Sequence, residues 1–217
     1  MERLQENLPL ELVLSKLTAG IIDYGAGNLA SLMICLKQLG YAVKVSDDFN
    51  VLNSVDIIFI PGVGAYPAAM KALHQKGLVS YLREQARLQR PIIGICLGMQ
   101  LLASASHEFE YTTGLDIIPG EIISMGPSKW HIGWNTVETK ASEMALMSSN
   151  GGIFYFNHSY RYEGPTKYQV GLSQCPNTIA TIIRKNKVVG LQFHPEKSQL
   201  AGRILLKNLI LELVSNA

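Results

Sequence analysis

The amino-acid sequence predicts an α/β fold, in which a mostly parallel central sheet is covered by helices on both faces and antiparallel strands are added in the C-terminal half. In the first hundred residues, short apolar runs alternate with helical patterns. These runs are apolar throughout, as is typical of parallel strands that are buried on both faces. After about residue 104, short strand-like runs follow one another, which suggests antiparallel pairing at one side of the sheet.

The individual elements follow from the local spacing of apolar residues. Residues 19–23 predict the first strand, and residues 28–39 predict a helix because leucine and methionine recur there at helical spacing. Further strands are expected at residues 42–45, 57–60 and 92–95, with a helix through residues 68–88. The C-terminal half predicts strands at 121–124, 136–138, 153–157, 170–173, 179–184 and 188–192, a hairpin turn at Asn186, and a final helix at 201–214.

Composition and charge narrow the classes of function. The 217 residues suit one domain at 19–217, preceded by an N-terminal extension at 1–18. Lys and Arg number 19 against 17 Asp and Glu, so the net charge of +2 disfavours nucleic acid and membrane surfaces as partners. Three widely spaced cysteines without a CxxC motif disfavour a disulfide scaffold or a zinc site. Since neither a signal peptide nor a membrane span is recognisable, we expect a cytoplasmic protein. We also expect that it uses neither a metal nor a cofactor.

A glycine-rich turn near the N-terminus favours an alternative of another class. Residues 25–30 (GAGNLA) follow a predicted strand and open a helix, and Asp47 and Asp48 come about twenty residues later. This pattern is typical of a dinucleotide-binding module whose pyrophosphate lies at the helix N-terminus. The later antiparallel strands do not resemble the second half of such a fold, and a tight turn between strand and helix explains the same glycines.

The strongest chemical signal is a cysteine between two glycines. Residues 92–102 read as a buried strand, a Gly-x-Cys-x-Gly turn and an apolar helix, which is a nucleophile elbow with Cys96 in the serine position. The sharp turn requires small residues at Gly94 and Gly98. We expect the helix N-terminus to favour the thiolate of Cys96. Cys35 and Cys175 lack this context.

A thiolate nucleophile also needs a proton carrier and donors for the oxyanion. His194 and Glu196 are two residues apart in a segment expected to be extended, so the carboxylate can orient the imidazole. His131 and His158 lie in apolar strands, where a structural role is more common. A second glycine loop at residues 60–65 (IPGVGA) follows a parallel strand, and one of its amides together with that of Leu97 suits an oxyanion hole. Phosphate binding remains a competing interpretation of this loop.

Taken together, these motifs resemble the class I (triad) glutamine amidotransferases. The resemblance is carried by residues 94–100 (GICLGMQ), 61–64 (PGVG) and 192–196 (QFHPE). Four further strings are similar to the subfamily of glutaminase subunits of imidazole glycerol phosphate synthase. They are residues 22–28 (IDYGAGN), 131–135 (HIGWN), 155–160 (YFNHSY) and 195–199 (PEKSQ). The similarity spans residues 19–213 and implies the amidotransferase fold, which is flavodoxin-like.

The resemblance implies a role for each matching residue. Cys96 would attack the side-chain amide of L-glutamine, His194 would act as base and then acid, and Glu196 would orient it. Oxyanion donors are implied at Val63 and Leu97. The remaining implied roles are contacts to glutamine by Gly62, Gly64, Gln100, Glu108, Ser159 and Tyr160, and a partner interface at Asn28, Trp134, Tyr155 and Lys197.

The same resemblance implies a partner chain. One domain leaves no residues for an ammonia-accepting site, so ammonia would pass through a sealed route to a barrel-shaped cyclase subunit in a heterodimer of histidine biosynthesis. Trp130 and Asn157 depart from the subfamily pattern, which usually has proline and valine there. These departures leave open an alternative in which the same glutaminase chemistry supplies a sugar amidotransferase in surface-polysaccharide biosynthesis.

Overall fold

The computed structural model describes residues 17–126, 130–140, 143–147 and 149–215. Nearly all of the predicted extension at residues 1–18 lies outside these ranges. Within them the chain forms a branched sheet of thirteen strands, β1 to β13, with helices packed against it.

The N-terminal half builds the parallel part of the sheet. Its strands are β1 (Thr18–Ile22), β2 (Ala42–Ser46), β3 (Ile57–Ile60) and β4 (Ile92–Ile95). They lie in the order β2-β1-β3-β4, and each neighbouring pair is parallel. A strand from the end of the chain, β13 (Val188–Leu191), extends this part because it pairs with β4 in parallel. The order β2-β1-β3-β4-β13 is that of flavodoxin-like folds.

Helices cover both faces of this parallel part. They are α1 (Leu29–Gln38), α2 (Phe49–Asn53), α3 (Tyr66–Gln75), α4 (Leu78–Arg87), α5 (Leu97–Leu101), α6 (Met144–Met147) and α7 (Gln199–Ser215). Successive side chains of β3 point to opposite faces. Ile57 and Phe59 pack in a cluster with leucines of α1 and α7, whereas Ile58 and Ile60 pack against α3 and α4. The predicted α/β class is therefore confirmed.

In the N-terminal half, two local features differ from the predictions. The single helix expected through residues 68–88 is two helices, because Gly77 adopts a left-handed conformation (φ 69°) between the end of α3 and the start of α4. The helix α2 was not anticipated. Asp48 caps it, since its side chain accepts a hydrogen bond from the backbone N–H of Asn50 at 2.7 Å.

The C-terminal half adds mostly antiparallel pairings, as the sequence predicts. Its strands are β5 (Ala105–Ser106), β6 (Thr112–Thr113), β7 (Glu121–Ser124), β8 (His131–Thr139), β9 (Gly152–His158), β10 (Tyr160–Glu163), β11 (Gln169–Cys175) and β12 (Asn177–Lys185). The predicted antiparallel pairing of residues 188–192 is confirmed for one neighbour and wrong for the other, because β13 is antiparallel to β12 but parallel to β4. Asn186 turns between these two strands with φ 55°.

The sheet branches at β12. On one side β12 pairs with β13 and β10, and on the other side it pairs with β11, which continues to β8 and then to β9. We call the pair β8 and β9 the ribbon. The ribbon places the end of β9 beside the carboxyl ends of β4 and β13, which is the edge where open α/β sheets form their sites.

No helix in the described ranges is long and apolar enough to cross a membrane. In the same ranges, no three His, Cys, Asp or Glu side chains gather into a group that could bind a metal ion.

Candidate active site

Cys96 lies in a strained turn directly after β4. Its backbone has φ 54° and ψ −111°, an uncommon conformation for a residue with a side chain. The Cys96 N–H donates to the carbonyl of Leu191 at 2.7 Å, which ties the turn to β13. A Cβ atom at Gly94 would meet the carbonyl oxygen of Gly98, and a Cβ at Gly98 would overlap the carbonyl oxygen of Ile60. The predicted elbow is confirmed, and packing explains both glycines.

The helix that follows the elbow is short. α5 spans the five residues Leu97–Leu101, so it offers little more than one turn of aligned peptide dipoles beside Cys96.

His194 and Glu196 form a buried pair at the end of β13. The imidazole Nδ1 lies 2.9 Å from Oε1 of Glu196, and both side chains are only 4% exposed. The predicted pairing is confirmed, although the backbone is not extended throughout, because Pro195–Lys197 forms a 3₁₀ turn. Burial opposes protonation of the ring, but hydrogen bonds and charge interactions with Cys96 and Glu196 outweigh it and raise the pKa of His194 to about 9.

Backbone contacts fix this pair in place. The N–H of His194 donates to the carbonyl of Tyr155 at 2.9 Å, which joins the histidine to β9 of the ribbon. The hydroxyl of Ser198 donates to the carbonyl of His194 and accepts from the N–H of Tyr155 at 3.0 Å. The histidine backbone is thus fixed from two sides.

A cavity of about 500 Å³ opens above Cys96 and His194. It collects most of the residues that the sequence assigned to the site. Its lining comprises Val63, Gly64, Cys96, Leu97, Gln100, Glu108, Phe109, Asn157, His158, Ser159, Tyr160, His194 and Lys197. Gly62 lies behind this wall, where a Cβ would be 2.7 Å from the hydroxyl of Tyr24 and 2.8 Å from the Cβ of Leu97.

Two polar side chains of the cavity are oriented by hydrogen bonds. Gln100 Nε2 donates to the carbonyl of Tyr160 at 3.1 Å and to Oε1 of Gln192 at 3.2 Å. Glu108 Oε2 accepts the N–H of Tyr66, the first residue of α3, at 2.9 Å. Burial raises the pKa of Glu108, and that backbone bond partly offsets the rise. Because it is nearly buried, the carboxylate is a strong site for a cationic group.

Three residues of the cavity had not been identified from the sequence as site residues. Phe109 is 82% exposed at the mouth and has φ 62°, which is unusual for a bulky residue. The carbonyl of Asn157 lies 3.9 Å from Sγ of Cys96. His158 was expected to be structural, yet it also lines the cavity. The departure of Asn157 from the subfamily pattern could have identified it as a site residue, whereas no local sequence pattern distinguishes Phe109.

The residues assigned to a partner interface lie on the ribbon, in the 3₁₀ turn that follows His194 and at the start of α1. On the ribbon, the rings of Trp134 and Tyr155 contact each other with centres 5.8 Å apart, and Nζ of Lys197 lies 5.9 Å from the centre of the Tyr155 ring. Trp134 is 51% exposed, and Ile132 and Ile153 on the same ribbon are exposed as well. Asn28 is exposed at the start of α1, where its side chain accepts the N–H of Ser31 at 3.3 Å.

The acidic residues of the dinucleotide alternative have other partners. Asp47 forms an ion pair with Lys76 at 2.7 Å, and Lys76 also donates to the carbonyl of Asp23. Asp48 caps α2. At the turn itself, Gly25 and Gly27 have φ values of 88° and 118°, so both glycines serve a tight turn between β1 and α1.

Comparison with known proteins agrees with this geometry. The family model of the class I glutamine amidotransferases matches residues 20–213. The chain belongs to the class I glutamine amidotransferases. The amidotransferase fold also appears among solved structures at low identity. A crystal structure described as a glutamine amidotransferase has a TM-score of 0.71, with 17% identity over 91% of this chain and 98% of that one. PurLQS from Thermotoga maritima gives a TM-score of 0.72, with 17% identity over 92% and 98% of the two chains.

Relatives in this amidotransferase family are considerably closer in sequence. A protein of Moorella thermoacetica is 43% identical over 193 residues, which cover 87% of this chain and 91% of the relative. A protein of Carboxydothermus hydrogenoformans is 38% identical over 192 residues, which cover 87% and 96% of the two chains. Both relatives are named imidazole glycerol phosphate synthase subunit HisH.

Proposed function

We propose that this chain is the glutaminase subunit of an imidazole glycerol phosphate synthase, which hydrolyses L-glutamine to glutamate and supplies the ammonia to a cyclase partner in histidine biosynthesis. The observation that carries the proposal is the strained elbow of Cys96 beside the buried pair of His194 and Glu196. Relatives at 38–43% identity over about 87% of the chain carry the HisH name, which supports the subunit assignment.

The first half of the reaction forms a thioester. His194 accepts the proton of the Cys96 thiol, and the sulfur attacks the amide carbon of glutamine. The backbone amides of Leu97 and Val63 are our candidates to stabilise the resulting oxyanion. When the carbon–nitrogen bond breaks, the imidazolium returns its proton to the nitrogen, and ammonia leaves.

The second half releases glutamate. Neutral His194 removes a proton from water, the hydroxide attacks the thioester carbon, and the carbon–sulfur bond breaks. The thiolate recovers the proton from the imidazolium, so the enzyme returns to its initial state. Glu196 stabilises the imidazolium in both halves, since its carboxylate lies 2.9 Å from Nδ1.

The cavity offers complementary groups for the rest of the substrate. Glu108 is the candidate partner of the glutamine ammonium group, because it is a nearly buried carboxylate in the cavity wall. Gln100, Gly64, Ser159 and Tyr160 are the candidate polar contacts along the substrate. Gly62 acts indirectly, since the absence of its side chain lets the loop at Val63 pack against the elbow.

We infer that the cyclase partner is barrel-shaped and binds over the ribbon and the start of α1. Exposed Trp134 and Ile132 form an apolar surface there. Tyr155 and Lys197 lie between this surface and the catalytic pair, because the carbonyl of Tyr155 accepts the N–H of His194. A partner on this face would cover the cavity on the side of Asn28 and Lys197.

Glutamate release from L-glutamine tests the proposal directly. We expect strong release by the chain mixed with the cyclase subunit and its ribotide substrate, and far weaker release by the chain alone. Cys96→Ala should abolish release in the mixture, and Cys175→Ala, which changes a cysteine outside the cavity, should leave it intact. Undiminished hydrolysis by Cys96→Ala would refute the mechanism. Activation by a sugar amidotransferase instead of the cyclase would refute the assignment of the partner.

A further inference from the structure

A hydrogen-bonded chain of four residues runs through the ribbon towards the cavity. It begins at Asn135, whose amide orientation is fixed by two backbone groups. Its Oδ1 accepts the N–H of Thr136 at 2.7 Å, and its Nδ2 donates to the carbonyl of Gln174 at 2.8 Å. The second proton on Nδ2 therefore points at the next atom of the chain, Nε2 of His131, which is 3.1 Å away.

This fixed amide determines where the protons of both histidines lie. Because Nε2 of His131 accepts from Asn135, its proton is on Nδ1, which lies 3.0 Å from Nε2 of His158. Nε2 of His158 must then be the acceptor, so its proton is on Nδ1, which donates to the carbonyl of Tyr160 at 2.7 Å. Every donor in the chain meets an acceptor, and both rings are neutral with the proton on Nδ1.

An additional proton has no place in this arrangement. On Nε2 of His131 it would face the amide protons of Asn135, and on Nε2 of His158 it would face the Nδ1 proton of His131. Burial acts in the same direction and lowers the pKa of each ring to about 4. The titratable groups whose charges act on His158 are His131 and the catalytic His194, and both disfavour its protonation.

The far end of the chain forms part of the cavity wall. The carbonyl of Tyr160 accepts both from His158 and from Nε2 of Gln100. His158 is the last residue of β9 and Tyr160 the first of β10, so the bond between them closes the corner at which the chain passes from the ribbon to the main sheet. Asn157, whose carbonyl lies beside the Cys96 sulfur, immediately precedes this corner.

We propose that His131 and His158 are a pair of positioning residues that fix the corner between β9 and β10, and thereby couple glutamine binding in the cavity to the conformation of the ribbon. The proposal rests on the proposed function only in taking the cavity as the glutamine site. Neither ring exchanges protons with the substrate. The directional chain that starts at Asn135 fixes the geometry of the corner.

Three variants separate positioning from packing in steady-state kinetics with the cyclase present. His131→Phe retains a ring that can stack on Phe156, now 4.2 Å from the imidazole centre, but removes the donor to His158. One lost buried hydrogen bond leads us to expect a KM for glutamine raised about 5- to 100-fold and a smaller change in kcat. His131→Asn places an amide donor where Nδ1 was and should recover most of the KM. His74→Phe, at an exposed position in α3, is the matched control. Destabilisation of His131→Phe with an unchanged KM would overturn the proposal.

Imidazole nitrogen NMR of the full chain tests the arrangement without any activity measurement. We expect the rings of His131 and His158 to give signals of neutral rings with the proton on Nδ1 from pH 8 down to pH 6. Exposed His74 provides the signal of a solvated ring, and His131→Phe assigns the resonances. A ring of the pair that carries its proton on Nε2, or that is charged at pH 6, would overturn the proposal. If the rings behave as expected while the chain releases no glutamate even when mixed with the cyclase subunit and its ribotide substrate, the proposed function fails and the proton arrangement stands.

Discussion

Removal of the negative charge beside the catalytic imidazole should slow the reaction by a calculable amount. Glu196→Gln replaces a carboxylate oxygen 2.9 Å from Nδ1 of His194 by a neutral amide atom in a site that is 4% exposed. A hydrogen bond to a charged partner contributes about 1.5–3 kcal/mol. Since about 1.4 kcal/mol corresponds to a tenfold change in rate, kcat should fall about 10- to 150-fold. The same loss should lower the pKa of His194 from about 9 to roughly 7–8.

The amide has a second effect because of what surrounds it. Among the described residues, Oε2 of Glu196 is buried and has no hydrogen-bond partner. In Glu196→Gln the NH₂ group must occupy that position without an acceptor, or else turn towards His194 and force its proton onto Nε2. Either outcome lowers kcat further, so the 10- to 150-fold decrease in kcat is a lower limit.

The assay is glutamate release over pH 6–10 by the complex with the cyclase. For Glu196→Gln we expect a lower maximal rate in the pH–rate profile, and a loss of rate at high pH that begins at a lower pH than in the wild type. The reason is that the His194 imidazolium, which protonates the leaving nitrogen, loses its proton at a lower pH. Glu163→Gln, which neutralises an exposed carboxylate paired with Arg161, is the matched control and should leave both features unchanged. A Glu196→Gln enzyme within threefold of the wild-type kcat, with an unshifted loss of rate at high pH, would show that the carboxylate does not act on the imidazole.

Three further predictions concern stability and binding. In the unfolded chain, His131 and His158 become protonated below about pH 6.5, whereas in the folded chain their pKa values are about 4. The free energy of unfolding should therefore decrease as the pH is lowered from about 6.5 to about 4, because unfolding in this range takes up roughly two protons. Urea titrations at several pH values should show this slope, and a flat profile would contradict it. Gly98→Ala should lose about 3 kcal/mol or more of folding free energy, because the new Cβ overlaps a backbone carbonyl of β3; a thermal shift of a degree or less would contradict this. Glu108→Gln retains the acceptor for Tyr66 but loses its charge, so the KM for glutamine should rise at least tenfold with kcat little changed, and an unchanged KM would remove Glu108 from the ammonium site.

The sequence predicted the elbow at Cys96 and the pairing of His194 with Glu196 because the signals for both are local. Gly94, Cys96 and Gly98 are adjacent along the chain, and their spacing is imposed by the backbone of a single turn. The pairing of His194 with Glu196 also depends on neighbours two residues apart. These residues come together because the strands that precede them are apolar enough to be placed in one parallel sheet.

Features that depend on distant contacts were not predictable in the same way. The chain from Asn135 through His131 and His158 requires the register of β8 against β9, which local spacing does not determine. The parallel pairing of β13 with β4 joins segments almost a hundred residues apart. The left-handed conformation of Phe109 depends on the loop around Glu108, and a phenylalanine gives no local indication of a positive φ.

The attachment of the ribbon has a consequence for motion in the site. Within the described ranges, the ladder pairing of β8 with β11 is limited to Thr139 and Glu138 and is supplemented by isolated bonds such as that of Asn135 to Gln174, yet β9 supplies one wall of the cavity. This attachment is shorter than the continuous pairing of the parallel strands under Cys96, so we expect the ribbon to open locally before those strands do. Amide protons of β9 should accordingly exchange with solvent sooner than those of β4, and a bound cyclase should slow the exchange of β9 selectively.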